Sequence, residues 1–503
     1  MSVAVVAVDA GTTGVRALAV SEEGVPLAGA YREIGQHFPR PGWVEQDPEE
    51  IWQAVVATVG EVAAWVADGG HTVAAIGLAN QRETVVAWDR RSGRPLYRAI
   101  VWQDRRTAGR CRQLAEAGHH DLVRARTGLV LDPYFSATKI EWLLAEGGVE
   151  AGPDLALGTV DAWILWHMTG GSSFATDPSN ASRTLVYDIV ERRWSEELCE
   201  LFGVPMAALP EVRPSAGRLG QLAPGASCAT GLVAGTPIAG MAGDQPAALL
   251  GQACLQPGMA KATYGTGTFV LLNAGPGPPA PGPGLLASVA WDLSGAVRSH
   301  HLAYALEGSI FSTGSAIQWL RDGLGLIDRA EEAATLAASV PDTAGLVLVP
   351  AFTGLGSPWW DPAARGAVVG VTRGAGRAHL ARAALEAVAH QVRDVVDAMA
   401  AAGGHGIRCL RADGGASAAD LLLQLQADQL GVPVARSQVR ETTALGAAYL
   451  AGLGVGVWAS PAEVAACWHL DREFRPGPGR AGPEGAHSSW LRALERARGW
   501  APG

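Results

Sequence analysis

An α/β fold built in two halves is what this sequence predicts, and three observations predict it. Strand-like and helix-like segments alternate along the chain. The pattern restarts near residue 250. A strand–Gly-Thr–strand unit close to the N-terminus recurs in the second half. At 503 residues the chain is too long for a single hydrophobic core. We therefore expect two domains, 1–250 and 251–503, with the boundary inside 250–257.

The elements follow in order. Residues 3–8 and 17–20 read as strands around "DAGTTGVR". "DPEEIW" opens a helix: Asp47 can cap it, Pro48 suits its first position, and Glu50 can close a capping box. Residues 74–79 and 84–88 read as strands with "NQRE" between them. Residues 160–171 read as a helix ended by glycine. Residues 260–273 give strand, Gly-Thr turn and strand again. The run 274–284 is a Pro/Gly-rich, exposed loop. "LRADGGASAADLLLQLQADQLG" reads as a strand, Asp413-Gly414-Gly415, then a helix. The tail 475–487 reads as another Pro/Gly loop. It contains "GPGRAG", a formal dinucleotide fingerprint, which we read as coincidence because no strand is expected before it and no helix after it.

Composition narrows the function. Apolar residues make up 48% and the net charge is −10, which speaks against a nucleic-acid binder with a basic face. The six cysteines are scattered without Cys-x-x-Cys spacing, against a zinc site or disulfide framework. No basic leader with a long apolar run opens the chain, and no stretch of eighteen apolar residues occurs, so a cytoplasmic protein without membrane insertion is expected. Lysine occurs only at Lys139 and Lys261, and neither follows a glycine, so there is no P-loop.

In "DAGTTGVR", Gly11 and Gly14 permit a close backbone approach to an anion. Thr12 and Thr13 add donors, Asp9 is a hard oxygen ligand suited to Mg²⁺, and Arg16 can reach a phosphate. Taken alone, the stretch also fits a plain tight hairpin. The second turn, "YGTGTF" at 264–269, and the glycines before the helix at 413–415 shift the balance toward a polyphosphate gripped from two sides. "NQRET" places Arg82 and Glu83 after a strand, where a guanidinium and a carboxylate can bond vicinal hydroxyls or simply pair with each other. Trp102 and Tyr134 could wall a small polyol or serve the core. Asp244, at the end of an apolar strand, could take a proton from an alcohol or cap the helix that follows.

These pieces together resemble the FGGY carbohydrate kinases over about residues 3–475. The similarity is carried by "PGWVEQDPEEIW", "NQRETVVAWDRRSGRPLY", "TGLVLDPYFSATK", "AGDQPAALLGQ", "YGTGTF", "YALEGSIFSTGSAIQWLRD" and "TALGAAYLAGL". The resemblance implies two actin-like (ribonuclease H-like) domains, each a central mixed sheet flanked by helices, with ATP in the interdomain cleft. It implies ATP- and Mg²⁺-dependent phosphorylation of a small polyol, glycerol to sn-glycerol 3-phosphate. The polyol would be held by Arg82, Glu83, Trp102, Tyr134, Asp244, Gln245 and Phe269. The nucleotide would touch Thr12, Thr13, Arg16, Thr266, Gly314, Gln318, Gly415 and Ala416. Asp9 and Asp244 would stand near the metal, with Asp244 as base and Arg16 on the transferring phosphate. Three departures stand out. Ala10 replaces a common Gln, and Ala419 an Asn that contacts adenine. The stretch 223–237 lacks the basic residues with which some members bind fructose 1,6-bisphosphate. The rival readings are another small polyol or a pentulose as acceptor, a ligand sensor without catalysis, or a polymerising actin-like ATPase. A homo-oligomer stays open.

Overall fold

A computed structural model describes residues 2–280, 282–298, 302–403 and 406–501 of the chain. Among the described residues, the first half forms a six-stranded sheet. Its order is Ala216–Gln221, Pro237–Gly243, Thr72–Asn80, Val3–Ala10, Gly14–Ser21, Pro26–Glu33. The three central strands, Pro237–Gly243, Thr72–Asn80 and Val3–Ala10, are parallel, and both edges turn antiparallel. The second half repeats this plan in seven strands: Leu286–Asp292, Leu302–Ile310, Thr268–Gly275, Ala260–Tyr264, Leu410–Asp413, Val434–Ser437, Leu470–Phe474. Its parallel centre is Ala260–Tyr264, Leu410–Asp413 and Val434–Ser437. Each half thus opens with a hairpin whose tip is a Gly-Thr turn, and these tips lie at the carboxyl ends of central strands, where open α/β sheets bind ligands.

Burial on both faces explains the unbroken apolar reading of "VAVVAV": Ala4 to Val8 are fully buried. The Thr442–Val455 helix belongs to the second half in sequence, yet it lies against the first sheet and the Asp244–Gly251 helix. Small residues permit that approach. A Cβ at Gly446 would sit 1.8 Å from the Ala247 carbonyl oxygen, and one at Gly77 would sit 2.0 Å from that of Ala447. Both lysines are fully buried. Lys139 Nζ donates to the carbonyls of Pro133, Tyr134 and Phe135 at 2.6, 2.8 and 3.0 Å. A compact ammonium suits three converging acceptors better than a planar guanidinium.

Local expectations meet two corrections. The Pro48–Asp68 helix has Asp47 as its cap, bonded to the Glu49 amide. Glu50 closes no box; it accepts from the Gly35 amide at 2.8 Å instead. Only the first part of the tail, 475–480, is a loop. Strand Leu470–Phe474 precedes "GPGRAG", and helix Ala481–Ala497 begins inside it. That strand is an antiparallel edge, and Gly477 and Arg480 are tied to Asp428 and Gln429. The motif therefore sits in no βαβ unit and is no dinucleotide fingerprint, although, against expectation, a strand precedes it and a helix begins within it. The tail helix docks through Asp394, which bonds His487 Nε2 and Trp490 Nε1, each at 2.8 Å. Of the expected loop 274–284, Ala274 and Gly275 still belong to strand Thr268–Gly275, and residues 276–278, 280 and 283 are exposed; Pro281 lies outside the described residues.

Candidate active site

Both Gly-Thr turns share one property. Every carbonyl in them is already bonded. In the first, Gly14 O accepts from Gly11 N, Gly11 O from Gln81, Thr12 O from Gln46 and Thr13 O from Ile34 N. In the second, Gly265 O accepts from Gly314 N, Thr266 O from Thr313 N and Ser315 N, and Gly267 O from Gly265 N. Among the described residues, the amides of Thr12, Thr13, Thr266 and Gly267 make no hydrogen bond. Occupied acceptors and spare donors make a cradle for anions. Gly267 is required by packing, since a Cβ there would lie 2.3 Å from the Ile310 carbonyl oxygen.

Gly314 begins the short Gly314–Gln318 helix beside the second turn, and Gln318 is exposed. Gly414 has φ +83°, with no room for a Cβ against Tyr264. Beyond it Gly415 is exposed, and among the described residues nothing lies within 4 Å of where its Cβ would be. Ala416 and Ala419 are half-buried. Arg436 holds this turn through the Ser417 carbonyl and the Asp420 carboxylate, and Arg472 binds the other Asp420 oxygen at 2.5 Å. Asp420 is thus committed twice. Arg16 does not stand free for a phosphate: its Nε lies 3.0 Å from Glu441 of the second half.

On the acceptor side the expected Arg82–Glu83 pair is replaced by a larger array. Arg82 and Glu83 are both buried, yet each pairs elsewhere. Arg82 donates to both oxygens of Glu307 at 2.7 and 2.9 Å, and through Nε to Asp244 at 3.0 Å. Glu83 accepts from Arg183 Nε at 2.5 Å. Its φ of 62° is left-handed, a strain that side chains rarely bear and that turns Glu83 away from its neighbour. The Arg82 stem lies over Gly243, where a Cβ would come within 2.5 Å of it. Burial works against the charge of Glu307, but Arg183 and Arg82 overcome it and hold the carboxyl down to about 2. Burial raises Glu83, against the pull of Arg183 and Arg82. Arg183 is fully buried, lies over the Tyr134 and Phe135 rings, and among the described residues neither of its Nη atoms makes a hydrogen bond.

Asp244 opens the Asp244–Gly251 helix rather than capping it; Gly243 is the cap. Its side chain is 30% exposed, whereas Arg82, Glu83, Arg183 and Glu307 are at 2% or less. Gln245 accepts from buried Lys261. Trp102 and Tyr134 meet edge to face, 5.3 Å apart, and Phe269 is half-buried on the second hairpin.

Sequence reading missed Arg183, Glu307, Lys261 and Glu441. A signal existed for one of them: a lone glutamate inside "LAYALEGSI" must find a positive partner if that strand is buried.

For a divalent cation, no three His, Cys, Asp or Glu among the described residues form a ready cage. Mg²⁺ keeps its waters and takes one or two carboxylates plus phosphate oxygens, and Asp9 and Asp244 stand close enough to repel each other. Burial, Asp244 and Glu441 push the Asp9 carboxyl up to about 7, with only Arg16 opposing. A cation there would relieve that repulsion.

Paired hairpin turns at the ends of two like sheets, with a charged acceptor array beside them, define a two-domain kinase of the actin-like class. The family descriptions agree: residues 4–251 match the FGGY family of carbohydrate kinases, N-terminal domain, and residues 260–455 its C-terminal domain. The chain belongs to the FGGY family. It is 53% identical to a glycerol kinase of Dechloromonas aromatica (strain RCB) over 505 residues, covering 99% of this chain and 98% of that one. It is 52% identical to a glycerol kinase of Aromatoleum aromaticum, covering 98% of each. Its structure matches that of Plasmodium falciparum glycerol kinase with ADP at a TM-score of 0.91 and 32% identity, covering 99% and 98% of the two chains.

Proposed function

We propose that this chain transfers the terminal phosphoryl group of ATP to glycerol, giving sn-glycerol 3-phosphate. The observation that carries the reading is the Arg82–Glu83–Arg183–Glu307–Asp244 array beside Trp102 and Tyr134. It is small, charged and walled by rings, as a three-carbon polyol requires: Arg82 donates to hydroxyls, Glu83 accepts from them, and the rings cover the carbon chain. Asp244 is the accessible carboxylate of the set, so it takes the proton of the attacking hydroxyl. The turn amides, with Thr12, Thr13 and Thr266, hold the phosphates; Gly314, Gln318, Gly415 and Ala416 line the nucleoside end; Arg16 leaves Glu441 to meet the transferring group. Asp9 and Asp244 would hold Mg²⁺, which supplies charge neutralisation on the phosphate oxygens. Closure of the halves excludes water as a rival acceptor.

The reading takes the two halves, 1–250 and 251–503, as the moving bodies. It takes the protein as cytoplasmic, in keeping with six unpaired cysteines and, among the described residues, no helix long and apolar enough to cross a membrane. The test is ADP release across a panel of polyols and sugars. Glycerol should lead, and propane-1,3-diol should be far worse, because a site built to bond a hydroxyl is left unpaired without it. Equal rates with both diol and triol would refute the role given to Arg82 and Glu83. A faster reaction with xylulose would move the assignment to a pentulose.

A further inference from the structure

The two phosphate turns are held differently. In the second, backbone amides occupy every carbonyl, those of residues 313–315 taking Gly265 O and Thr266 O. In the first, backbone amides take Thr13 O and Gly14 O, but side chains take Gly11 O and Thr12 O, and Gln81 among them comes from the acceptor side. Gln81, next to Arg82 in the chain, donates from Nε2 to Gly11 O at 3.2 Å and to Gln46 Oε1 at 2.8 Å. Gln46 donates to Thr12 O at 2.6 Å. Thr84 Oγ1 donates to Gln81 Oε1 at 3.0 Å and accepts from the Trp102 amide at 3.2 Å. Finally, Trp102 Nε1 lies 2.8 Å from Thr12 Oγ1. Gln46, Gln81 and Thr84 are buried.

The donor inventory fixes every proton in this chain. An indole N–H only donates, so the Thr12 hydroxyl must accept from Trp102. Among the described residues that hydroxyl makes no other bond, which leaves its own proton for an outside acceptor. Each amide of Gln46 and Gln81 has its orientation set by its neighbour. The order runs one way, from the ring that walls the acceptor pocket to the turn that faces the nucleotide.

We infer that Gln46, Gln81 and Trp102 are positioning residues for the first phosphate turn. The two glutamines keep the Gly11 and Thr12 carbonyls turned from the anion, and Trp102 aims the Thr12 hydroxyl at it. Trp102 therefore acts on nucleotide binding although it lies on the acceptor side. The inference rests on the reading of Thr12 as a nucleotide contact.

The test is a double-substitution cycle on the full chain, read as MgADP affinity by titration calorimetry without glycerol, so that the acceptor wall does not enter. Thr12→Val keeps shape and removes the hydroxyl; Trp102→Phe keeps an apolar ring and removes the donor. Trp102→Phe should weaken MgADP roughly two- to twelvefold, the span of one neutral hydrogen bond. In the Thr12→Val background it should cause no further loss. Equal losses in both backgrounds, or none in either, overturn the inference. If Thr12→Val alone binds MgADP as the parent does, the nucleotide reading of Thr12 has failed, and the inference with it; that result is visible without any Trp102 variant. Gln46→Met provides a second route should Trp102→Phe not fold. It should weaken MgADP by a similar factor, and unchanged affinity would overturn the role of Gln46.

Discussion

Glu307→Gln tests the acceptor array most directly. Glu307 stands on a strand of the second half and binds Arg82 of the first through two hydrogen bonds of 2.7 and 2.9 Å, with side-chain exposures of 0% and 2%. Arg183 Nη2 approaches the same carboxylate at 3.5 Å. Inside the array the two arginines face two fully buried glutamates and the more exposed Asp244. The amide keeps the volume of the side chain but presents an NH₂ to an Arg82 donor and leaves Arg82 with only the 30%-exposed Asp244 as its directly bonded counter-charge. Breaking a fully buried pair in this way costs about 3–5 kcal/mol. At about 2 °C per kcal/mol for a domain of roughly 250 residues, the first melting transition should fall by roughly 6–10 °C. Arg82 also steadies Asp244, so kcat/KM for glycerol should drop at least roughly tenfold, the lower range for a charged hydrogen bond. The phosphate turns are untouched, and KM for ATP should stay within about twofold, no more than the smallest effect of one lost bond. Differential scanning calorimetry and initial rates with each substrate varied in turn read all three. A melting point within about 1 °C of the parent, less than 1 kcal/mol, together with an unaltered glycerol KM, would refute the claim that this interdomain pair sets Arg82.

Four further outcomes are expected. Asp244→Asn should lower turnover at least roughly 10²-fold with the circular dichroism spectrum unchanged; near-normal turnover removes Asp244 as the base. With a methyl group at Ala419 and Asp420 bound by Arg436 and Arg472, GTP or ITP should support a measurable fraction of the ATP rate. Ala419→Asn should sharpen the preference for ATP by roughly two- to twelvefold; strict selectivity that the substitution leaves unchanged contradicts this. His390 stacks against the His487 and Trp490 rings of the tail helix; burial, with His487 and Arg393 close by, lowers it from 6.5 to about 3. The unfolded chain binds this proton below pH 6.5 and the native protein does not, so its contribution to stability is intact above 6.5 and drains away as the pH falls toward 3. By pH 5 the loss is about 2 kcal/mol, and urea unfolding at pH 7 and pH 5 should show a smaller difference for His390→Gln than for the parent. Millimolar fructose 1,6-bisphosphate should leave the rate unchanged, since residues 223–237 carry no basic side chain; inhibition at micromolar levels would reveal a site elsewhere.

The sequence by itself determined the local grammar of this protein. Val3–Ala10 and Gly14–Ser21, and their counterparts Ala260–Tyr264 and Thr268–Gly275, could be read from apolar runs broken by Gly-Thr. These are short-range signals: strand period, turn residues, glycines where a side chain would collide. The strings shared with the FGGY kinases added expected contact positions in the chain; among them Arg82 meets Asp244, Trp102 meets Tyr134, and Trp102 reaches Thr12 of the first turn. Tertiary structure alone decided who pairs with whom. Arg82 finds Glu307 across 225 residues and Glu83 finds Arg183 across 100, while adjacency in the chain suggested that Arg82 and Glu83 would satisfy each other. The tail shows the same limit: its helix is held by Asp394, 93 residues before His487, and its own composition reads as loop. Buried charges and donors must all be satisfied at once, and that accounting runs over every element that meets at the site, so no window of neighbouring residues contains it.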